Sequence, residues 1–267
     1  MQRGYVVYIH TCYSLGKQAS KQASKRAMSY HVHRLKSSQF DENGSMACTF
    51  ISVHALDYFF ACKQQGRRPN ANDAHREALL KGCKVYEQVF NNERETVEFV
   101  DPFICSEMSG LAEDRVVRLL ECTCVVSRNA HSIHSSVRRG FNVLTSLRVL
   151  DEMETHSHKL GLEVGAILVR GGTAFALWLD RDSGECWMLD PHRRDPDLGL
   201  VAVEDDTRAS AVLVHFEEKD DFQYYLELRF GSFCLTPTQD YQDIQNQQIS
   251  VYLFTSSFSA PSLITLD

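Results

Sequence analysis

From Met46 to Cys62 the chain is apolar at almost every position, broken only by Thr49, Ser52, His54 and Asp57. A helix that is apolar all round has no face to offer water, so this pattern predicts a buried central helix, with Ser45 as its N-cap and Gly66, Pro69 and Asn70 ending it. A second helix is expected from Asn72 or Asp73 to about Phe90, its apolar side formed by Leu79, Leu80, Val85, Val89 and Phe90. A third is expected from Leu111 to about Glu121, through Leu111, Val116, Val117, Leu119 and Leu120. The segment 122–145 has no consistent period, and Thr155-His156-Ser157-His158 reads as a polar loop. From Glu163 the pattern becomes that of strands: Val164–Arg170, Thr173–Asp180 and Glu185–Asp190, joined by turns at Gly171-Gly172 and Asp182-Ser183-Gly184 into an antiparallel meander. Another strand at Ala211–Phe216, a helix from about Asp220 to Phe230 and a closing strand at Ile249–Phe254 complete the pattern. Helices first and sheet afterwards is an α+β plan.

Composition narrows the class. The 267 residues, 43% hydrophobic and 24% charged, exclude wholesale disorder, collagen and coiled coil. No apolar run reaches the length of a membrane span, Asp57 interrupting the longest candidate. Residues 1–4 lack the basic-then-apolar plan of a secretory signal, and nine cysteines is an odd number. Together these predict reduced thiols and a cytoplasmic or nuclear setting. Charge separates residues 1–38, with seven Lys/Arg and no acid, from the remainder, with 21 basic against 35 acidic side chains and a formal charge of −14. The first stretch, carrying the repeat Lys17-Gln-Ala-Ser and Lys21-Gln-Ala-Ser, is expected to be a flexible basic extension. The acidic body, 39–267, is expected to repel nucleic acid and to suit a basic macromolecular partner.

The candidate chemistry starts at Cys48, in the first turn of the buried helix. Free N–H groups and the helix dipole favour negative charge there and lower a thiol pKa. A cysteine opening a buried helix ahead of a downstream antiparallel sheet matches the plan of papain-like hydrolases; the competing reading is one buried cysteine among nine. His54, six residues along the same helix, lies about 9 Å further up and rotated away, so it cannot serve as base. Asp190-Pro191-His192 ends the third meander strand, and residues two apart on a strand emerge on one side. There His192 can take the proton from Cys48 while Asp190 orients the ring, although Asp-Pro opening a turn beside an exposed histidine is the alternative. The start of the preceding strand, Gly172-Thr173-Ala174, holds no histidine, so a Cys…His…Asp order fails and a Cys…Asp…His order works.

That order, with Gly44-Ser-Met-Ala-Cys48, Leu79-Leu-Lys-Gly-Cys-Lys-Val-Tyr86, Ala166-Ile-Leu-Val169, Ala176-Leu-Trp178 and Met188-Leu-Asp-Pro-His192, resembles the N-terminal deubiquitinase domain of the herpesvirus large tegument proteins and its viral relatives. The resemblance spans about residues 39–260. It implies a papain-like fold, a helical lobe with a buried nucleophile helix packed on an antiparallel sheet. It also implies thiol hydrolysis of the bond after the C-terminal glycine of ubiquitin or a ubiquitin-like modifier, with Cys48, His192 and Asp190 as catalytic residues and no cofactor. Gln39, upstream of the nucleophile, is the implied oxyanion donor, with Asn43 competing for that place. A herpesvirus source would place the domain in the virion tegument. The arginines of ubiquitin's face and tail suit an acidic body, and Trp178, Trp187 or Tyr86 could wall a channel for a diglycine tail. The same residues are compatible with a papain-like peptidase or acyltransferase acting on another substrate, or with an inactive ubiquitin-binding domain. Cys122, Cys124, His131 and His134 have poor zinc spacing, and no metal site is expected. Walker A, H-E-x-x-H and G-x-S-x-G motifs are missing.

Overall fold

The computed structural model describes residues 30–42, 44, 46–90, 100–112, 115–126, 144–197, 199–200, 207–230 and 248–256. In chain order the elements are β1 (Tyr30–Arg34), α1 (Cys48–Gln64), α2 (Ala71–Ala74), which runs through a π-helical turn (His75–Leu80) into α3 (Lys81–Phe90), and α4 (Pro102–Met108). These are followed by β2 (Val116–Val125), β3 (Leu144–Thr145), α5 (Ser146–Leu160), β4 (Val164–Arg170), β5 (Thr173–Leu179), β6 (Cys186–Arg194), β7 (Ser210–Phe216), α6 (Lys219–Phe230) and β8 (Ile249–Ser256). The strands form one eight-stranded sheet in the order β1-β7-β6-β5-β4-β8-β2-β3. Its pairs are antiparallel except for the short parallel contact of β2 with β3.

The sheet has a core on each face. On one side α1 to α4 meet Ile167, Ala174, Ala176, Trp178, Leu189 and Leu213. On the other, α5 and α6 cover Ala166, Leu168, Phe175, Leu177, Met188 and Val214. Alternation along each strand sends neighbours to opposite faces, which explains why β4 to β6 read as almost unbroken apolar runs. α1 is buried over Cys48–Phe60, as its all-round apolar pattern requires. Two glycines set how closely it packs. A Cβ at Gly82 would stand 2.5 Å from Ile51 Cα, and one at Gly165 2.6 Å from Leu56 Cδ2. Thus α3 crosses α1 backbone to backbone, and α1 lies directly on β4.

The structure corrects several sequence expectations. Residues Leu111–Glu121 are not a helix: Val116–Val125 is a strand paired along β8, with a register break between Arg118 and Leu120. Its Val-Val-Arg-Leu-Leu spacing fits either period, and the sheet edge decides it. The helix of this region is α4, started by Asp101, whose side chain accepts from Phe103 N at 2.7 Å, and by Pro102 in the first turn. His156 and His158 sit on helix α5 rather than in a loop. Helix α1 begins at Cys48, not Met46, with Ala47 at the N-cap and no side-chain cap; Ser45 lies outside the described residues. The boundary expected at 38/39 falls inside the fold. Tyr30–Arg34 pairs along β7, and Leu35 and Ser38 are buried. The repeat within residues 1–29 lies outside the described residues.

Candidate active site

α1 opens without a capping side chain and without an acidic residue in its first turn, so the positive end of its dipole is left to the Cys48 side chain. Cys48 is 5% exposed. Burial on its own pushes this thiol up, but the hydrogen bond and charge of His192, the Ala174 N–H and the Thr49 hydroxyl outweigh it and bring the pKa below the ordinary thiol value. The other described cysteines behave oppositely. Burial raises Cys62, Cys105, Cys124 and Cys186, and pushes Cys83 up to about 12 and Cys122 to about 11. Among the seven described free thiols, Cys48 is the one whose pKa is shifted down.

Its partner comes from the end of β6. That strand pairs with β5 only as far as Ala176–Leu189, and its register against β7 shifts between Asp190 and Arg194. There the strand turns away from β5, and Asp190-Pro191-His192 leaves room for the start of α1. His192 Nδ1 donates to Asp190 Oδ1 at 2.7 Å, and the His192 backbone N–H donates to the same oxygen at 3.1 Å. His192 and Cys48 lie near enough to shift each other's pKa, Cys48 downward and His192 upward. Burial depresses the His192 pKa, but Asp190 and Cys48 together raise it above the ordinary imidazole value. Asp190 has no exposed surface. Burial raises its pKa, while Arg229, Arg194 and His192 hold it well below the usual carboxylate range. Arg194 Nε donates to Oδ2 at 2.6 Å, and Arg229 Nη1 lies 2.8 Å from the same oxygen.

The segment between β1 and α1 stitches the two halves together. Gln39 N donates to Pro191 O, Gly44 N to Gln39 O, Ala47 N to Gly44 O, and Ile51 N to Ala47 O, at 2.8 to 3.0 Å. A Cβ at Gly44 would meet Cys83 Sγ at 2.8 Å, so this turn needs glycine. Gln39 is 1% exposed and sits beside the His192 strand. Phe40 stands over the imidazole with ring centroids 6.1 Å apart. Asn43, the competing donor, lies outside the described residues.

Cys48, Asp190, His192 and Gln39 are thus brought together, and His54 is not. Trp178 and Trp187 are core residues rather than channel walls: Trp178 stacks on Phe59 and donates to Glu163 at 2.9 Å, and Trp187 stacks on His215. Tyr86 packs against Phe50 and Phe90. The group actually beside the thiol is the β4–β5 turn, where the carbonyl of Gly172 accepts from Cys48 Sγ at 3.7 Å. Gly171 and Gly172 both have positive φ, 57° and 78°, with open space where a Cβ would stand. A cavity of about 500 Å³, lined by Val169, Arg170, Gly171, Gly172, Gln248, Ser250 and Tyr252, borders this turn. The glycine pair is visible in the sequence as a hairpin signal; its second role as a neighbour of the thiol is not. Among the described residues no group of three or more His, Cys, Asp or Glu could hold a metal ion. His131 and His134 of the weak zinc spacing lie outside them. No helix among the described residues is long and apolar enough to cross a membrane.

No family model and no curated protein matches this chain. Among solved structures it is similar to the ubiquitin-specific protease encoded by the murine cytomegalovirus tegument protein M48, solved in complex with a ubiquitin-based suicide substrate. Identity is 12%, with 89% of this chain and 90% of that chain covered and a TM-score of 0.47.

Proposed function

We propose that this chain is a papain-like cysteine hydrolase that releases ubiquitin, or a ubiquitin-like modifier, by cleaving the bond after its C-terminal glycine. The observation that carries the reading is the relay from Asp190 through His192 to the one thiol among the described residues whose pKa is lowered. A buried thiol kept only for packing behaves like Cys83 or Cys105. In the reaction, the Cys48 thiolate attacks the glycine carbonyl and the carbonyl π electrons move to oxygen. Protonated His192 then gives its proton to the departing amine, leaving a thioester on Cys48. Water, deprotonated by His192, attacks the thioester, releases the carboxylate and restores the thiol pair. Asp190 holds the ring tautomer and stabilises the imidazolium. The Cys48 N–H and the Gln39 side-chain amide serve the oxyanion. The Gly171-Gly172 turn, without side chains beside the sulfur, suits a substrate tail that ends in two glycines.

The experiment is turnover of ubiquitin bearing a C-terminal fluorogenic amide by the wild-type chain, C48A and H192A. The reading expects turnover by wild type alone. A correctly folded wild-type chain without turnover, or an unaltered C48A, contradicts it.

A further inference from the structure

The sheet separates α1, which carries Cys48, from α6, yet a side chain of α6 reaches the site. Met188 belongs to the core of the α5/α6 face and Leu189 to the opposite one, so alternation turns Asp190 toward α6. There it meets Arg229, whose side chain is 1% exposed and whose Nη1 lies 2.8 Å from Asp190 Oδ2. The approach is an ion pair that is out of line for a hydrogen bond. What fixes the guanidinium is aromatic: its carbon lies 4.3 Å from the centre of the Phe175 ring and 4.7 Å from that of Phe230. The two carboxylate oxygens are then fully engaged, Oδ1 by the His192 ring and backbone, Oδ2 by Arg194 and Arg229.

We propose that Arg229 is a positioning residue for the active site, a guanidinium packed beside the Phe175–Phe230 ring pair that holds the Asp190 carboxylate in its His192-directed orientation from the far side of the sheet. This rests on Cys48 and His192 acting as the thiolate pair of the proposed hydrolase. An arginine suits the place because a planar, permanently charged group can pack against the stacked pair of Phe175 and Phe230 and still face a carboxylate, whereas lysine offers charge without the planar contact. The charged and titratable groups facing this centre are Arg194 on β6, Arg229 and Tyr225 on α6, Arg170 on β4, Tyr30 on β1 and Cys48 on α1. Asp190 itself and His192 complete the set, in which Asp190 is the sole carboxylate among the described residues. Without Arg229 the carboxylate has one anchor fewer on Oδ2 and is free to turn away from His192, so the imidazolium loses its aligned partner and the Cys48 thiolate its positioned counter-ion.

The test reads the thiolate directly and needs no ubiquitin: the rate of Cys48 alkylation by iodoacetamide as a function of pH, with the modified residue identified by mass spectrometry. For R229Q the midpoint of Cys48 alkylation is expected to move up by about one pH unit, and kcat on the ubiquitin reporter to fall about tenfold with KM nearly unchanged. R229K is expected to recover part of both. F230L, which leaves Arg229 in place but removes one of the two rings beside it, is expected to shift the midpoint in the same direction by less. A folded R229Q with the wild-type alkylation profile overturns the proposal; if R229Q does not fold, an unshifted F230L does so. A shifted midpoint in a chain that cleaves no ubiquitin reporter keeps this inference and rejects the proposed substrate, so the two failures are told apart.

Discussion

Gln39 donates its backbone N–H to the carbonyl of Pro191 at 3.0 Å, tying the segment ahead of the nucleophile helix to the strand that carries His192. The segment ahead of α1 and the strand end that carries His192 are therefore held in register by main chain, with Gln39 buried at the junction. If its amide serves the oxyanion, Gln39→Ala lowers kcat by roughly 10²–10³-fold while KM changes little, because the lost donor acts in the transition state. Steady-state kinetics on the ubiquitin reporter check this, and a KM effect with kcat intact contradicts the assignment.

Asp190→Asn keeps the shape of the side chain but removes the charge that fixes the His192 tautomer. A fall in kcat/KM of roughly 10³–10⁴-fold is expected. Two buried guanidiniums, Arg194 and Arg229, also lose their anion, so the same variant is expected to lose about 3 kcal/mol of stability in urea unfolding. Activity lost without destabilisation would show that the arginines do not depend on this carboxylate.

A third prediction concerns pH and stability. His54 is buried, neither ring nitrogen makes a hydrogen bond, and burial together with Lys81 and Arg115 drives its pKa down to about 4. The folded-state value lies below the unfolded one of 6.5, so the unfolded chain binds the proton first. His54 therefore leaves stability intact above pH 6.5 and removes it as pH falls from 6.5 toward about 4, by on the order of 3 kcal/mol in all. Neighbouring Asp57, whose carboxyl pKa burial raises, acts with the opposite sign. The difference between wild type and His54→Leu isolates the histidine. Urea unfolding at several pH values is expected to show a flatter acid limb for H54L, and parallel curves contradict the argument.

The Gly171-Gly172 turn offers a test of substrate shape. Gly172→Val adds a side chain, in space that is open, to the turn whose carbonyl accepts from the Cys48 sulfur. It is expected to lower kcat/KM on the ubiquitin reporter at least about tenfold, by excluding the tail and straining a φ of 78°. Alkylation of Cys48 by the much smaller iodoacetamide is expected to continue. Equal loss of both activities would show that the turn supports the thiol rather than the tail.

Much of this architecture was readable from pattern alone. The buried helix after Cys48, the meander β4–β6, β7, α6 and β8 stand close to their predicted places because each is a long run whose period agrees with its surroundings. Cys48, Asp190 and His192 can be singled out as candidates from the sequence because helix start and strand end are local features. Where reading failed, neighbours decided. β2 carries apolar spacing that fits a helix as well as a strand, and only its pairing with β8 resolves it. β1 is short and half exposed, held by β7 from the far end of the chain. α5 was hidden by its polar, histidine-bearing face. Arg229 could not be found at all: nothing in Lys219–Phe230 marks one arginine as aimed through the sheet at an aspartate 39 positions earlier.

The central claim is that Cys48 is a nucleophile aligned with a ubiquitin tail and activated by His192. The most direct measurement is covalent capture by ubiquitin carrying a C-terminal electrophile, read by intact mass and peptide mapping for wild type, C48A and H192A. The account predicts one ubiquitin added per wild-type chain, mapped to Cys48, with no adduct in C48A and slow or absent capture in H192A. A folded wild-type chain that forms no adduct, or an adduct mapped to another cysteine, contradicts it.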